Sequence, residues 1–285
     1  MNAAQAALLR CPRCAGGLRF AGTRRGGELM DGTLACAACP GAWPVRAGRP
    51  ALLDEGEVRG FESLIRVVYD VIAPFHDPAV HYLLPLFMGA SEEEARRRYL
   101  GRLALSQIRP SPGEPIRVLD VGVGGGADLA LIARELPPGV DAELWGLDYS
   151  PRMLAQCDRR LRNWTGPPVH LLLGDAHVLP FPEASFDRVL HVGGIATYRD
   201  PARALAEMAR VAKPGTPIVV VDEQLDGAAN WLQWLAFRSM TLYDLSPHAP
   251  VEHLPPGAVE VRVEQASLFF YALSFCMGSP AVSRS

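Results

Sequence analysis

The spacing of apolar residues along this chain predicts buried strands that alternate with helices. The apolar run that begins at Ile116 ends in the carboxylate of Asp120 and predicts a strand, and Ile218–Val221 is too apolar for an exposed strand and has the composition of a strand inside a parallel sheet. Helical spacing follows the first of these strands, from 127 to 136. Ser150-Pro151 and Asp200-Pro201 each join an N-cap residue to a proline at the first helical position. Together these patterns predict an α/β fold with a doubly wound sheet.

The C-terminal part of the chain adds a predicted antiparallel pair and an apolar insertion. Val259–Val263 alternates between apolar and polar residues and Leu268–Phe275 is an apolar run, so the two predict neighbouring antiparallel strands. Residues 224–257 precede them and are longer than a plain connection needs. Their large apolar residues fit two interpretations: most pack on the sheet, or some line an apolar pocket whose other wall is Leu83–Met88. These residues are Trp231, Trp234, Leu235, Phe237, Met240 and Tyr243.

The segment before the first buried strand predicts a helical connector. Apolar residues recur at helical spacing between 61 and 72, until Pro74 interrupts the pattern. Glu92–Arg98 is charged at nearly every position, which predicts a solvated helix face. The alternative is a phosphate-binding patch at 96–98, which the preceding glutamates oppose.

Four of the six cysteines form two C-x-x-C pairs near the N-terminus. The pairs are Cys11 with Cys14 and Cys36 with Cys39. Each spacing lets two thiolates from one tight turn reach a common ion, and two such turns complete the tetrahedron that Zn²⁺ prefers. Two disulfides, or a redox motif on one pair, are the alternatives, and a reducing cytosol disfavours them. The isolated Cys157 and Cys276 are expected in the core.

A glycine-rich loop after the first buried strand predicts a nucleotide-type binding site. Gly122, Gly124 and Gly126 follow this strand at a predicted helix N-terminus, where backbone N–H groups approach a ligand. The loop also satisfies the dinucleotide pattern. Asp120 argues against a dinucleotide, because its charge would face the pyrophosphate; a ligand with an ammonium group and no phosphate suits it better. Asp148 ends the next apolar strand, where it is placed to accept hydrogen bonds from both ribose hydroxyls.

Four blocks of this sequence resemble the class I S-adenosylmethionine (SAM)-dependent methyltransferases. The blocks are 118–126, 146–154, 174–190 and 205–222. The resemblance implies a mostly parallel seven-stranded Rossmann-like sheet, with the first block at the methionine part of SAM and the second at its ribose. It implies that Asp175 and Ala176 lie beside the adenine, and that Tyr149, Met153 and Tyr69 also contact the cofactor. The third block is most similar to the ubiquinone/menaquinone-biosynthesis branch.

The N-terminal cysteine segment resembles a small zinc-ribbon family that includes methyltransferase activators. The matching residues are Leu8–Cys14, Leu34–Cys39, Trp43–Val45 and Gly48–Leu53. We therefore expect a zinc ribbon at 1–54, whose structural Zn²⁺ contributes folding energy directly. A helical connector or cap over the active site is expected at 55–115. The SAM-binding methyltransferase domain is expected at 116–285, with 224–257 as a substrate-cap insertion.

Methyl transfer from a sulfonium is an in-line displacement, so the enzyme mainly aligns the acceptor, the methyl carbon and the sulfur. A base is needed only if the acceptor must lose a proton. His191, after the strand Phe186–Leu190 at the carboxyl edge of the sheet, is the first candidate, and His76 is the second. At either position a satisfied structural histidine is the alternative. The expected acceptor is a hydrophobic small molecule (quinone-, polyketide- or lipid-like) methylated at oxygen or carbon.

Composition and charge narrow the remaining hypotheses. The 285 residues carry a formal net charge of −3, which gives no electrostatic reason to expect a nucleic-acid partner. An RNA methyltransferase with an RNA-binding zinc ribbon is therefore the second hypothesis; a non-catalytic SAM-binding scaffold and an NAD-dependent enzyme are the others. The sequence shows no signal-peptide pattern and no apolar run that could span a bilayer, so a cytoplasmic protein is expected. Its oligomeric state is left open.

Overall fold

The computed structural model describes residues 1–54, 56, 92–241 and 247–278. The strands are β1 (Leu18–Arg25), β2 (Glu28–Cys36), β3 (Ala42–Arg46), β4 (Arg49–Leu52), β5 (Ile116–Val121), β6 (Ala142–Asp148), β7 (Val169–Gly174), β8 (Arg188–Val192), β9 (Ile218–Glu223), β10 (Ala258–Ser267) and β11 (Phe270–Met277). The described α-helices are α1 (Ala3–Ala7), α2 (Glu92–Gly101), α3 (Leu129–Glu135), α4 (Pro151–Arg160), α5 (Pro201–Val211) and α6 (Trp231–Met240). All these strands belong to one eleven-stranded sheet.

Seven strands of this sheet form the predicted doubly wound arrangement. They run in the order β7-β6-β5-β8-β9-β11-β10, and neighbours from β7 to β9 are parallel. β11 is antiparallel to both β9 and β10, which confirms the predicted C-terminal pair. The strand order reverses between β5 and β8, and ligands of open α/β sheets bind at the carboxyl ends of the strands at such a point. The glycine loop begins there.

The sequence signals at the strand and helix ends also hold in the structure. Every residue of β6 is buried, and β9 is buried except at its last residue, as expected for inner strands. The Ser150 hydroxyl accepts a hydrogen bond from the Met153 N–H at 3.2 Å, and the Asp200 carboxylate accepts one from the Arg203 N–H at 2.9 Å. Both side chains cap helices that begin with proline. The two isolated cysteines, 157 and 276, are buried as predicted.

The four N-terminal strands continue the same sheet. β1 to β4 pair antiparallel in sequence order. β4 then lies parallel to β7, with Ala51 opposite Leu173 and Leu52 opposite Gly174. The two parts also share one core, which contains Leu9, Leu34, Trp43 and Leu52 from the N-terminal segment and Leu119, Trp145, Leu172 and Phe181 from the larger sheet. Strand pairing and common packing therefore join residues 1–54 to the rest of the described chain.

Helix α6 corrects the expectation that its aromatic residues mostly pack on the sheet. Trp231, Trp234 and Leu235 are 72%, 53% and 55% exposed. Phe237 is buried and lies 5.5 Å from Phe269 between ring centroids. The large apolar side chains of α6 that the structure describes are thus exposed, except for that of Phe237. Tyr243 and the predicted opposite wall at 83–88 lie outside the described residues.

Helix α2 corrects the prediction of a uniformly solvated charged face. Arg97 and Arg98 do form exposed ion pairs with Glu93 and Glu94, one turn earlier. Arg96 instead turns inward, and only 17% of its side chain is exposed. The difference arises because Arg96 has a buried carboxylate partner on another element, described below. In the described ranges, no helix combines the length and the hydropathy that crossing a bilayer requires.

Candidate active site

The loop between β5 and α3 adopts a left-handed backbone at three glycines. Gly122, Gly124 and Gly126 have φ angles of 75°, 52° and 73°, a region that glycine enters without a Cβ penalty. A Cβ at Gly126 would lie 2.5 Å from Cys157 Sγ, and one at Gly122 would lie 3.4 Å from the His191 ring. The left-handed backbone at all three positions and the close neighbour of Gly126 therefore favour glycine, which leaves the backbone of the loop open to close approach by a ligand.

Asp148 ties this loop to the end of β6. Its Oδ2 accepts a hydrogen bond from the Gly124 N–H at 2.8 Å, and its Oδ1 accepts one from the Ser150 N–H at 2.8 Å. Each carboxylate oxygen has two lone pairs, so a ribose hydroxyl can still donate to either oxygen. The ribose contact predicted for Asp148 is compatible with this geometry and stays a prediction.

Asp120 is a buried carboxyl group directly before the loop. It is 3% exposed, and within the described part of the chain no hydrogen-bond donor reaches its side chain. Burial, together with the carboxylates of Asp128 and Asp148, raises its pKa well above the usual range, while the Arg96 guanidinium acts in the opposite direction. A cation bound beside Asp120 would favour its ionised form. The site therefore fits a positively charged ligand.

Asp128 connects the same loop to helix α2. Its Oδ1 accepts hydrogen bonds from Arg96 at 2.7 Å and from the Tyr99 hydroxyl at 2.6 Å. Asp128 occupies the N-cap position of α3, yet its side chain makes no capping bond. The carboxylate thus holds α2 against the glycine loop instead of closing its own helix. Sequence reasoning missed this contact, because 32 residues separate Arg96 from Asp128.

Asp175, directly after β7, is buried and yet ionised. Its Oδ1 accepts the backbone N–H of His177 at 2.8 Å and lies 2.6 Å from His177 Nδ1, while Oδ2 accepts from Arg199 at 2.7 Å. Burial acts to raise its pKa, but the hydrogen bonds from His177 and Arg199 outweigh it and lower the pKa to about 2. Sequence reasoning missed both partners. An Asp side chain commonly accepts a hydrogen bond from the backbone N–H two residues later, so the contact with His177 could have been predicted. Nothing in the sequence indicated the contact with Arg199.

His191 lies within β8, one residue further into the strand than predicted, and is fully buried. Its Nδ1 is 2.7 Å from the Val121 carbonyl oxygen. Because a carbonyl only accepts, Nδ1 carries the proton and Nε2 is left as the acceptor. Nε2 is buried and has no hydrogen-bond partner among the described residues. Burial lowers the pKa of His191, against the effects of the Val121 carbonyl and Asp222, so the ring is neutral near pH 7.

Two further residues shape the surroundings of His191 and were missed from the sequence. Tyr198 packs between His191 and His177, with ring-centroid distances of 5.3 and 5.2 Å. Asp222, at the end of β9, accepts hydrogen bonds from the Gly194 and Ala196 N–H groups at 3.0 and 2.9 Å. These bonds fix the turn after β8 that carries Tyr198.

The other predicted cofactor contacts lie around the same edge of the sheet. Met153 is buried, and its Cε would meet a Cβ at Gly124 at 3.1 Å. Ala176 is buried after β7, and Tyr149 is half-buried after β6. Tyr69 and His76 lie outside the described residues.

The four N-terminal cysteines converge at one point. The Sγ atoms of Cys11, Cys14, Cys36 and Cys39 all lie within 4.8 Å of one another. Cys11 and Cys39 are 3.7 Å apart and Cys14 and Cys36 are 3.5 Å apart, which is too long for a disulfide. A tetrahedron with Zn–S bonds of about 2.3 Å has S···S edges of about 3.8 Å, so the cluster fits Zn²⁺. The alternative of two disulfides is not what the structure contains.

Comparison with known proteins assigns the central segment. Residues 118–215 match the protein family described as "Methyltransferase domain". The chain is 37% identical over 155 residues to demethylmenaquinone methyltransferase of Thermus thermophilus, covering 54% of this chain and 64% of that protein. It is 35% identical over 138 residues to fatty-acid O-methyltransferase of Mycolicibacterium smegmatis, covering 48% of each. The matched region thus spans less than two thirds of these relatives.

A solved structure with the same fold is phosphoethanolamine N-methyltransferase 2 of Haemonchus contortus, in complex with phosphomonomethylethanolamine and S-adenosylhomocysteine. The TM-score is 0.58 at 15% identity, covering 84% of this chain and 63% of that chain. At this identity the likeness establishes the fold. The matched residues 118–215 contain the glycine loop, Asp148, Asp175 and His191. Residues 118–215 are therefore similar to a methyltransferase domain, which supports the resemblance to class I SAM-dependent methyltransferases that the sequence indicated.

Proposed function

We propose that this chain is a SAM-dependent methyltransferase that methylates an oxygen or carbon atom of a hydrophobic small molecule. The observation that carries the proposal is the buried Asp120 beside an open glycine loop, at the switch point of the sheet. A carboxyl group so placed, with two further carboxylates nearby, suits a ligand that brings its own positive charge. SAM brings both an ammonium group and a sulfonium. The family match over the same residues supports this assignment.

Each residue around the loop has a distinct proposed role. Asp120 faces the cationic part of the ligand, and Asp148 holds the loop in place while it accepts from the ribose. Asp175 and Ala176 border the adenine, and Met153 packs behind Gly124. Bound SAM supplies an activated methyl group, so the protein's main task is to align the acceptor with it and to exclude water.

His191 is the proposed base where the acceptor must lose a proton. Its Nδ1–H is committed to the Val121 carbonyl, which orients the ring and leaves Nε2 as the acceptor. Burial keeps the imidazole neutral, so Nε2 is competent near pH 7. His76 is retained as a second proposed base.

Two observations support an apolar acceptor. Curated relatives of this chain are named for the methylation of demethylmenaquinone and of fatty acids. Helix α6 also exposes Trp231, Trp234 and Leu235 after β9, the strand next to β8. Contiguous exposed apolar side chains of this size mark contact surfaces in soluble proteins. We propose that they contact the acceptor.

The cysteine cluster is proposed to hold a structural Zn²⁺. Backbone N–H groups of Ala38 and Gly41 approach the sulfurs of Cys36 and Cys39 at 3.3 and 3.4 Å, which stabilises thiolates. Metal analysis of the purified chain should find one zinc per chain, lost in Cys39→Ser and kept in Cys276→Ser. Full zinc content in Cys39→Ser would refute the site.

Calorimetry tests the cofactor assignment. We expect SAM and S-adenosylhomocysteine to bind and NAD to give no heat. Binding of NAD in place of SAM would overturn the proposal. So would an unchanged SAM affinity in the double variant Asp120→Asn/Asp148→Asn.

Transfer of a radiolabelled methyl group tests the reaction and the base. Demethylmenaquinone and fatty acids are the first acceptors to assay. His191→Gln should lower kcat without changing the affinity for S-adenosylhomocysteine, and wild-type kcat/KM should fall only at pH values below the ordinary histidine pKa. His253→Gln, at an exposed histidine, is the control. Full turnover in the double variant of His191 and His76 would exclude both as bases.

A further inference from the structure

The N-terminal ribbon lies against the segment that borders the proposed adenine site. β4 ends at Leu52, which is opposite Gly174, the last residue of β7. Asp175 and Ala176 follow directly. The ribbon therefore extends the sheet beside the strand whose carboxyl end leads into the adenine-side loop, residues 175–183.

The backbone of this loop is held from two sides. On one side, helix α5 contributes the carboxylate of Glu207, which accepts the Leu179 N–H at 2.8 Å, and Arg210, which donates to the carbonyls of Leu179 and Phe181 at 3.0 and 2.7 Å. On the other side, the backbone N–H of Arg10 donates to the Pro180 carbonyl at 2.9 Å. In the described structure, both α5 and the ribbon therefore contribute hydrogen bonds to the backbone of this loop.

Arg10 is part of the first cysteine turn. It immediately precedes Cys11 and forms an isolated antiparallel bridge with Gly17, which closes the turn. Cys11 is 2% exposed and belongs to the same core cluster as Leu179 and Phe181. A groove of about 330 Å³ runs along this contact, lined by Cys11 and Pro12 on the ribbon and by His177 and Leu179 on the loop. An ion bound by the four cysteines would therefore also fix the position of Arg10, whose backbone N–H donates to the Pro180 carbonyl.

We propose that the metal-bound ribbon positions the adenine-side loop, so that Zn²⁺ at the four cysteines raises the affinity of the chain for SAM. The proposal rests on the SAM and zinc assignments made above and adds a coupling between the two sites. A segment this small contributes little core of its own, so its order depends on the metal. Ordering the ribbon before the cofactor arrives removes part of the conformational entropy that binding must otherwise overcome.

Coupling of this kind is reciprocal. If zinc raises the affinity for the cofactor by some factor, the cofactor raises the affinity for zinc by the same factor. Calorimetry with S-adenosylhomocysteine, on full-length chain before and after zinc removal by a chelator, should show about tenfold weaker binding without the metal. S-adenosylhomocysteine should in turn slow zinc transfer to a chromogenic chelator. Hydrogen exchange should rise at 175–183 on zinc removal, and much less at 122–126.

A pair of truncations tests the contact with zinc still bound. Leu52→Ala removes a side chain from β4 opposite the end of β7, whereas Leu29→Ala removes one of equal size, equally buried, from β2 outside that shared core. Both should keep a full zinc complement. Leu52→Ala should weaken binding of S-adenosylhomocysteine severalfold, and Leu29→Ala should leave it unchanged.

The outcomes separate this proposal from the proposed function. If S-adenosylhomocysteine does not bind the zinc-loaded wild type, the function assignment fails. If it binds with the same affinity to folded chain with and without zinc, the coupling is refuted while the function stands. Should the zinc-free chain fail to fold, equal affinities in Leu52→Ala and Leu29→Ala would refute it instead.

Discussion

Asp120 and Asp175 are both buried carboxyl groups at the carboxyl edge of one sheet, but their neighbours differ, and their pKa values are shifted in opposite directions. Asp175 is surrounded by donors: His177 supplies its backbone N–H and its ring, and Arg199 supplies a guanidinium. Its pKa falls to about 2. Asp120 is surrounded by other carboxylates, and its pKa is raised well above the usual range.

The difference shows which charge the fold satisfies by itself. Leaving a buried charge without a partner costs several kcal/mol, so folded chains normally provide one. At Asp175 the chain does so with its own residues, which suits a loop that must hold its shape. At Asp120 the described chain supplies no donor, which suits a site completed by a cationic ligand. The two positions should therefore respond oppositely to the same substitution.

The largest effect is expected from Asp175→Asn. The change leaves Arg199 and His177 without their anion, and removing one partner of a buried pair costs about 3 kcal/mol of unfolding free energy. Urea unfolding of the ligand-free chain measures this loss. Glu183→Gln, at an exposed carboxylate nearby, is the matched control and should change little. A loss no larger than the control's would contradict the structural role of Asp175.

Asp120→Asn should have the opposite signature. Removing a charged partner of the bound ligand should weaken SAM binding by about 2 kcal/mol, or roughly thirtyfold, as for hydrogen bonds to charged groups. The stability of the ligand-free chain should stay the same or rise, because the amide removes a buried acid that resists ionisation. Calorimetry and urea unfolding of one preparation measure both quantities. A lower unfolding free energy with an unchanged affinity for SAM would contradict the role assigned to Asp120, because Asp120 would then behave as Asp175 is expected to.

A smaller effect is expected at helix α2, which holds the glycine loop through Asp128. Arg96→Ala should cost about 1–2 kcal/mol of unfolding free energy, because it removes a charged hydrogen bond to a buried carboxylate. Arg97→Ala, one residue along the same helix, removes an exposed ion pair and should cost under about 0.5 kcal/mol. Equal losses of unfolding free energy in the two variants would show that the contact between Arg96 and Asp128 does not stabilise the fold.

The pH dependence of stability should distinguish the two acids most finely. The pKa of Asp175 is lowered on folding, so its contribution is present above its ordinary pKa and is lost as the pH falls through about 2. The pKa of Asp120 is raised on folding, so its contribution is fully present below its ordinary pKa and is lost as the pH rises through the folded value. The increase in Tm given by S-adenosylhomocysteine should therefore grow with pH in wild type. It should be flat in Asp120→Asn.

Features that are local in the sequence could be predicted, and contacts across the sequence could not. The loop at 122–126, Asp120 and Asp148 stand at strand ends that the apolar pattern marks directly. The mostly parallel seven-stranded sheet followed from the family resemblance. β4 has four residues, and nothing in them indicates a partner at 173–174.

The same limit explains the missed site residues. Arg199 and Arg96 act through carboxylates 24 and 32 residues away, and an arginine in a sequence does not reveal which acid it meets. The sequence shows that α6 is rich in apolar residues, but it does not show whether other residues cover them. Periodicity predicts which residues share a helix face, and tertiary packing decides what that face meets.

The pairing of β4 with β7 has a consequence for the order of folding. Ala51 and Leu173 are 122 residues apart, so during synthesis the hairpins of β1 to β3 can form long before β4 has its neighbour. Until β7 is translated, β4 exposes unpaired backbone groups, the kind of edge that recruits strands from other chains. Residues 53–172 must therefore be synthesised while the edge of β4 is unpaired. Slow translation between 52 and 173 would lengthen the time for which this edge is exposed.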